Sequence, residues 1–172
     1  MKILSQLDYA HINFPGTPHS WATYGCLATC LCMLLDKTVE QFVAENPNGW
    51  TADGNLKTDA VLAKYGYKIV REPLTEGQNL PLKSIPVIFR TTFFNPRFPT
   101  HFFVQLPNST DIVDPASRHN PKQENRYKVR VNEMRYLVPI NANSAPQTYA
   151  GLSLESLDAR VKILEQISLQ GR

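Results

Sequence analysis

The chain has 172 residues, enough for one domain that buries roughly 70% of its unfolded surface and needs no metal or disulfide for stability. Eighteen lysines and arginines against fifteen acids leave a net charge of +3. The basic residues are scattered, which excludes a nucleic-acid footprint, and no apolar run approaches the ~20 residues of a membrane helix.

Residues 1 to 20 are expected to be irregular, with Pro15-Gly16 and Pro18 as turn signals. Residues 26 to 35 predict a helix. Leu27, Leu31, Leu34 and Leu35 recur at helical spacing, while Cys30, Cys32 and Met33 make the other faces apolar, the mark of a buried central helix. Thr38-Val39-Glu40-Gln41 is a capping box, opening a second helix that runs to about Asn46, ahead of Pro47. Thr58 or Asp59 is the expected cap of a third, Ala60 to Tyr65, with Gly66 as its left-handed stop. The period then changes to two. Lys68 to Val70, Val87 to Phe93, His101 to Leu106, Ile112 to Asp114, Tyr127 to Val131 and Arg135 to Val138 predict strands. Helices followed by an antiparallel sheet make an α+β fold.

Residues 1–140 read as one domain, 141–152 as a linker and 153–170 as an amphipathic helix. Ser153 is the expected N-cap of that helix, Leu152 and Leu157 its staple, and Leu154, Leu157, Val161 and Leu164 its apolar stripe. Such a helix is too short to stand alone in water. It is expected to pack on its own domain, on a second copy as a homo-oligomer, or on a partner protein, and so to serve assembly or targeting.

Cys26, Cys30 and Cys32 are too close in sequence, at the wrong spacings, for a disulfide framework. A reducing compartment is expected. Met1-Lys2-Ile3-Leu4 is followed at once by Ser5, Gln6 and Asp8, which lacks the core of a signal peptide, so the expectation is cytoplasmic.

The three thiols differ by position. Gly25-Cys26 stands at the head of the helix, where unpaired N–H groups and the positive end of the helix dipole favour a thiolate. Cys30 and Cys32 lie deeper, among apolar residues, and read as small core side chains. Downstream, His101 to Leu106 and Asp111 to Asp114 flank the turn Pro107-Asn108-Ser109-Thr110. With Leu106 opposite Asp111, Phe103 faces Asp114, and His101 then sits diagonally beside Asp114 on one face, about 7–8 Å away between backbones. Thiol, imidazole and carboxylate make a nucleophile, base and orienter. The Cys26 backbone N–H and the Gln6 side-chain amide are candidate donors to an oxyanion.

Ile3-Leu4-Ser5-Gln6-Leu7-Asp8, then Trp21 to Met33 with Tyr-Gly-Cys and a following Thr, then His-Phe-Phe-Val and Ile-Val-Asp-Pro, resemble the C39-like branch of papain-fold cysteine peptidases. Members of that branch resemble bacteriocin-leader peptidases and are common in bacteria and phages. The resemblance covers about residues 3 to 116. It implies a papain-like fold, with Cys26 as nucleophile, His101 as base, Asp114 as orienter and Gln6 as the oxyanion glutamine. It also implies hydrolysis of a peptide, isopeptide or peptidoglycan amide through a Cys26 thioester, without a cofactor, and a phage source or release by another route fits it too. The chain departs from the family's Gly-Cys-Gly-Pro at Leu27-Ala28. That departure supports an alternative, a catalytically inactive pseudopeptidase acting as a peptide-binding or assembly module.

Trp21, Tyr24, Trp50 and Phe98 are candidate walls of a substrate groove. The four histidines and three cysteines show no zinc spacing, so no metal site is expected. Asp53-Gly54-Asn55 reads as a plain turn, because no glutamate follows where a calcium loop needs one.

Overall fold

Among the described residues, a six-stranded antiparallel sheet carries four helices on one side. The computed structural model describes residues 1–95, 98–123 and 130–140. A 3-10 turn at Gln6–Tyr9 precedes helices α1 (Trp21–Tyr24), α2 (Cys26–Leu34), α3 (Val39–Glu45) and α4 (Thr58–Lys64). The strands are β1 (Tyr67–Pro73), β2 (Val87–Asn95), β3 (Phe98–Gln105), β4 (Asp111–Val113), β5 (Lys122–Gln123) and β6 (Val131–Pro139), in the order β1-β6-β2-β3-β4-β5. The architecture is α+β.

Helix α2 is central, as its all-round apolar surface requires. Every residue from Ala28 to Leu34 is buried. It packs on β3 and belongs to a core that includes Trp21, Phe42, Val61, Ile88, Val104, Val113 and Leu137. The opposite face of the sheet buries a second cluster around Val87, Phe89, Phe103, Ile112 and Met134. Alternation along β3 therefore sends Phe102 and Val104 to the helices and Phe103 away from them.

The capping box forms as written: Gln41 N donates to Thr38 Oγ1, and Thr38 N donates to Gln41 Oε1. The cap of α4 is different. Lys57 occupies the N-cap with no side-chain hydrogen bond, and Thr58, already inside the helix, donates its hydroxyl to Leu56 O. The backward bond satisfies the hydroxyl and removes it from capping. Helix α1, a single turn, escaped the periodicity because four residues are too few to show one.

The strands expected at Tyr127 to Val131 and Arg135 to Val138 meet in one element, β6, although residues 124–129 lie outside the described ones. Its buried residues, Val131, Met134 and Leu137, recur every three positions. Met134 and Leu137 are buried on opposite faces, one in each cluster, while the spacing of Val131 comes from a register shift: Arg90 pairs with Glu133, but Thr91 pairs with Val131, which leaves Asn132 extra. Such a bulge puts Val131 on the face of Met134 and breaks the period-two signal. The proposed linker 141–152 and helix 153–170 lie outside the described residues. No helix among the described residues is long and apolar enough to cross a membrane.

Candidate active site

Gly25 is the N-cap of α2 and Cys26 its first residue. The Cys26 N–H is therefore one of the first-turn amides that have no carbonyl within the helix. Glycine is required at the cap by packing. A Cβ there would stand 2.4 Å from Trp21 O and 2.6 Å from Trp21 Cδ1. The close approach lets the α1 turn fold directly against the head of α2. Trp21 Nε1 then donates to Thr29 Oγ1 at 2.8 Å, one turn into the central helix.

Cys26 is half-buried, whereas Cys30 and Cys32 are fully buried. Burial pushes both of the deeper thiols well up, so they stay protonated and packed.

The β3–β4 hairpin takes the register that its turn suggests. Val104 pairs with Val113, Gln105 with Ile112, and Leu106 N donates to Asp111 O at 2.9 Å. Asp114 follows directly after Val113, the last paired residue of β4. The side chains meet: His101 Nε2 lies 2.8 Å from Asp114 Oδ1, with both residues buried. The Cys26 side chain acts on the same imidazole. Burial works against an imidazolium here. The hydrogen bonds to Asp114 and Cys26, with the charges on both, outweigh it and raise His101 to about 9.

Asp114 is held on every side. Its Oδ1 also accepts from Ala116 N at 2.9 Å, and Lys122 Nζ lies 3.8 Å from Oδ2. Asn120 clamps the backbone, its Oδ1 accepting from Asp114 N at 2.8 Å and its Nδ2 donating to Asp114 O at 3.0 Å. Sequence reasoning missed Asn120 and Lys122. Neither lies in a periodic segment, and the Asp-Pro turn signal at Asp114 was their only marker.

Gln6 reaches the same place through the N-terminal stretch. Its backbone N–H donates to Pro115 O at 2.8 Å, which ties residues 5 and 6 to the segment after Asp114. Its side chain is buried, and Nε2 donates to Ala22 O at 2.6 Å. A carboxamide nitrogen carries two hydrogens, so one donor remains after that bond.

A cavity of about 600 Å³ opens at the head of α2, lined by Gln6, Cys26 and His101. Tyr24 and Trp50 line it as well. Trp21 does not, which corrects its assignment to the groove. It is fully buried against Phe14, Phe42 and Trp50, drawn inward by the missing Cβ of Gly25. Phe98 lies on β3, with its side chain outside the described residues. Leu27, directly after the thiol, also faces the cavity, as do Thr100 and Phe102 beside His101. Asp53-Gly54-Asn55 is a turn closed by Gly54 N to Thr51 O and Thr51 N to Asn55 O. Gly54, at φ +77°, leaves room for His19, whose ring meets that of Tyr24 at 4.6 Å.

No protein-family model matches the chain, and no curated protein matches it.

Proposed function

We propose that this chain is a papain-like thiol hydrolase of the C39-like branch that cleaves a peptide, isopeptide or peptidoglycan amide through a Cys26 thioester. The observation that carries this reading is the imidazole of His101, hydrogen-bonded to Asp114 and lining the same cavity as Cys26.

In the proposed reaction the Cys26 thiol proton moves to His101. The thiolate sulfur attacks the amide carbon, and the carbonyl oxygen becomes an oxyanion facing the Cys26 N–H and the remaining donor of Gln6. The C–N bond then breaks, with the amine leaving on the proton that His101 returns. Water, deprotonated by the same imidazole, attacks the thioester, releasing the acid and restoring the thiol. Asp114 holds the ring in one orientation throughout. The chemistry needs no cofactor. Three free cysteines suit a reducing cytoplasm.

The test is alkylation by iodoacetamide near neutral pH, with the adducts mapped. Fast labelling confined to Cys26, and lost in His101→Ala, supports the proposal. Slow labelling shared by all three cysteines overturns it.

Leu27 favours a second reading. Its bulky side chain lines the cavity directly beside the thiol, where the family's pattern has glycine. A pseudopeptidase would grip a peptide there without turnover, and its Cys26→Ala variant would bind that peptide as tightly as the parent.

A further inference from the structure

Beside the cavity, the helix-side face of the sheet carries three arginines. Arg71 on β1 is paired directly opposite Arg135 on β6. Arg135 is opposite Ile88 on β2, and Arg90, two residues further along β2, is opposite Glu133 and Phe102. Cross-strand partners share a face, as do residues two apart, so Arg71, Arg135, Glu133, Arg90 and Phe102 form one contiguous patch. Like charges directly opposite each other are destabilising. The acids nearby offset only part of this charge. Glu133 pairs with Arg135, and the exposed Asp59 pairs with Arg71 at 3.2 Å. Arg90 has no hydrogen bond or ion pair among the described residues.

The patch is continuous with the cavity through Phe102. Phe102 lines the cavity, and Arg135 Cζ lies over its ring at 4.7 Å from the centroid. Phe102 follows His101 in sequence and is paired with Arg90. A chain lying extended from Cys26 past Phe102 would bring a side chain to Arg90 within about two or three residues. The other cavity-lining groups are neutral or apolar, apart from Cys26 and His101 themselves.

We propose that Arg90, Arg71 and Arg135 form a carboxylate-binding subsite that extends the groove, so that the substrate is an acidic peptide with an Asp or Glu side chain near the cleaved bond. The subsite rests on the peptidase reading for its place beside the chemistry, but not for its existence. Planar guanidinium groups match a carboxylate with two parallel hydrogen bonds. Arg90 supplies a fork with no partner among the described residues, Arg71 and Arg135 the surrounding positive field, and Phe102 a flat apolar floor.

Two measurements on the full chain test it. In the first, fluorescein-labelled hexaglutamate is titrated onto Cys26→Ala at low salt and followed by anisotropy, with hexaglutamine as the neutral control. Hexaglutamate should bind, hexaglutamine should not, and salt should weaken the binding. Adding Arg90→Gln should lower the affinity by about tenfold, the loss expected of one charge-assisted pair, with partial recovery in Arg90→Lys. Adding Arg71→Gln, at a more exposed position, should lower it less. Equal binding of both peptides, no binding, or indifference to Arg90→Gln overturns the subsite.

The second measurement uses tetraglutamate and tetraglutamine, each carrying a chloroacetyl group, to alkylate the Cys26-containing protein. The acidic probe should react about tenfold faster than the neutral one, and that ratio should fall to near one in Arg90→Gln. Equal rates separate the patch from the groove and overturn the extension. If neither probe labels Cys26, the peptidase reading fails, and the anisotropy still decides whether the carboxylate site exists.

Discussion

His101 Nε2 and Asp114 Oδ1 lie 2.8 Å apart in a site where the histidine is 5% exposed and the aspartate 2%. Burial of an imidazole ordinarily favours its neutral form. Here the carboxylate and the Cys26 side chain reverse that preference and raise His101 to about 9. The pair is thus both a structural element and the electrostatic centre of the cavity.

Stability should therefore depend on pH through this pair. The folded pKa of about 9 exceeds the unfolded value of 6.5, so the folded state binds more protons between those limits. The contribution is complete below pH 6.5 and is lost as pH rises through 9, a change on the order of 3 kcal/mol. Urea denaturation at about pH 6 and about pH 9.5 measures it. Asp114→Asn should flatten the dependence, because its neutral amide no longer holds an imidazolium. The same variant should slow Cys26 alkylation at neutral pH by about tenfold or more, since a misoriented imidazole is a poor base. An unchanged pH slope in Asp114→Asn would place the charge effect elsewhere.

Gly25→Ala should destabilise the fold by about 2–3 kcal/mol, the upper part of the range for overpacking. The new methyl meets the Trp21 carbonyl and indole at less than 3 Å, and the carbonyl belongs to backbone that cannot step aside. Gly77→Ala makes the comparison. That residue has φ +81° with nothing within 4 Å of a Cβ, so its cost is conformational, about 1 kcal/mol. Equal losses in the two variants, read from urea midpoints, would contradict the packing argument. Gly25→Ala should also slow Cys26 alkylation, because the head of α2 must shift.

On the proposed mechanism, Gln6 acts on a carbonyl and not on the thiol. Gln6→Ala should reduce the p-nitrophenol burst rate from p-nitrophenyl acetate by about 10²-fold, as removal of one oxyanion donor does. Alkylation by iodoacetamide should fall far less, since displacement at its CH₂ passes through no oxyanion. A parallel fall in both rates would mean that Gln6 serves only to anchor Ala22 through its 2.6 Å hydrogen bond.

Local chemistry was readable directly from the sequence. The capping box at Thr38, the left-handed stop at Gly66, the all-apolar α2 and the register of the β3–β4 hairpin each depend on residues close in sequence. The juxtaposition of His101 with Asp114 was legible for the same reason, because one short turn sets it. What the sequence hid has equally specific causes. The bulge at Asn132 puts Val131 on the face of Met134, and burial of both faces of β6 hides the period of two. Trp21 looks like a groove aromatic until Gly25 allows it to pack into the core.

By itself, then, the sequence determined the α+β plan, the placement of Cys26 at the head of a buried helix, and the hairpin that joins a histidine to an acid. Only the tertiary structure decided that the helix head and the hairpin share one cavity, that Asn120 and Lys122 secure the acid, and that arginines from three strands share one face, two of them against Phe102. The physical reason is range. Caps, turns and periodicity act over a few residues, whereas the approach of Cys26 to His101, or of Arg71 to Arg135, depends on how separate elements pack across the whole domain.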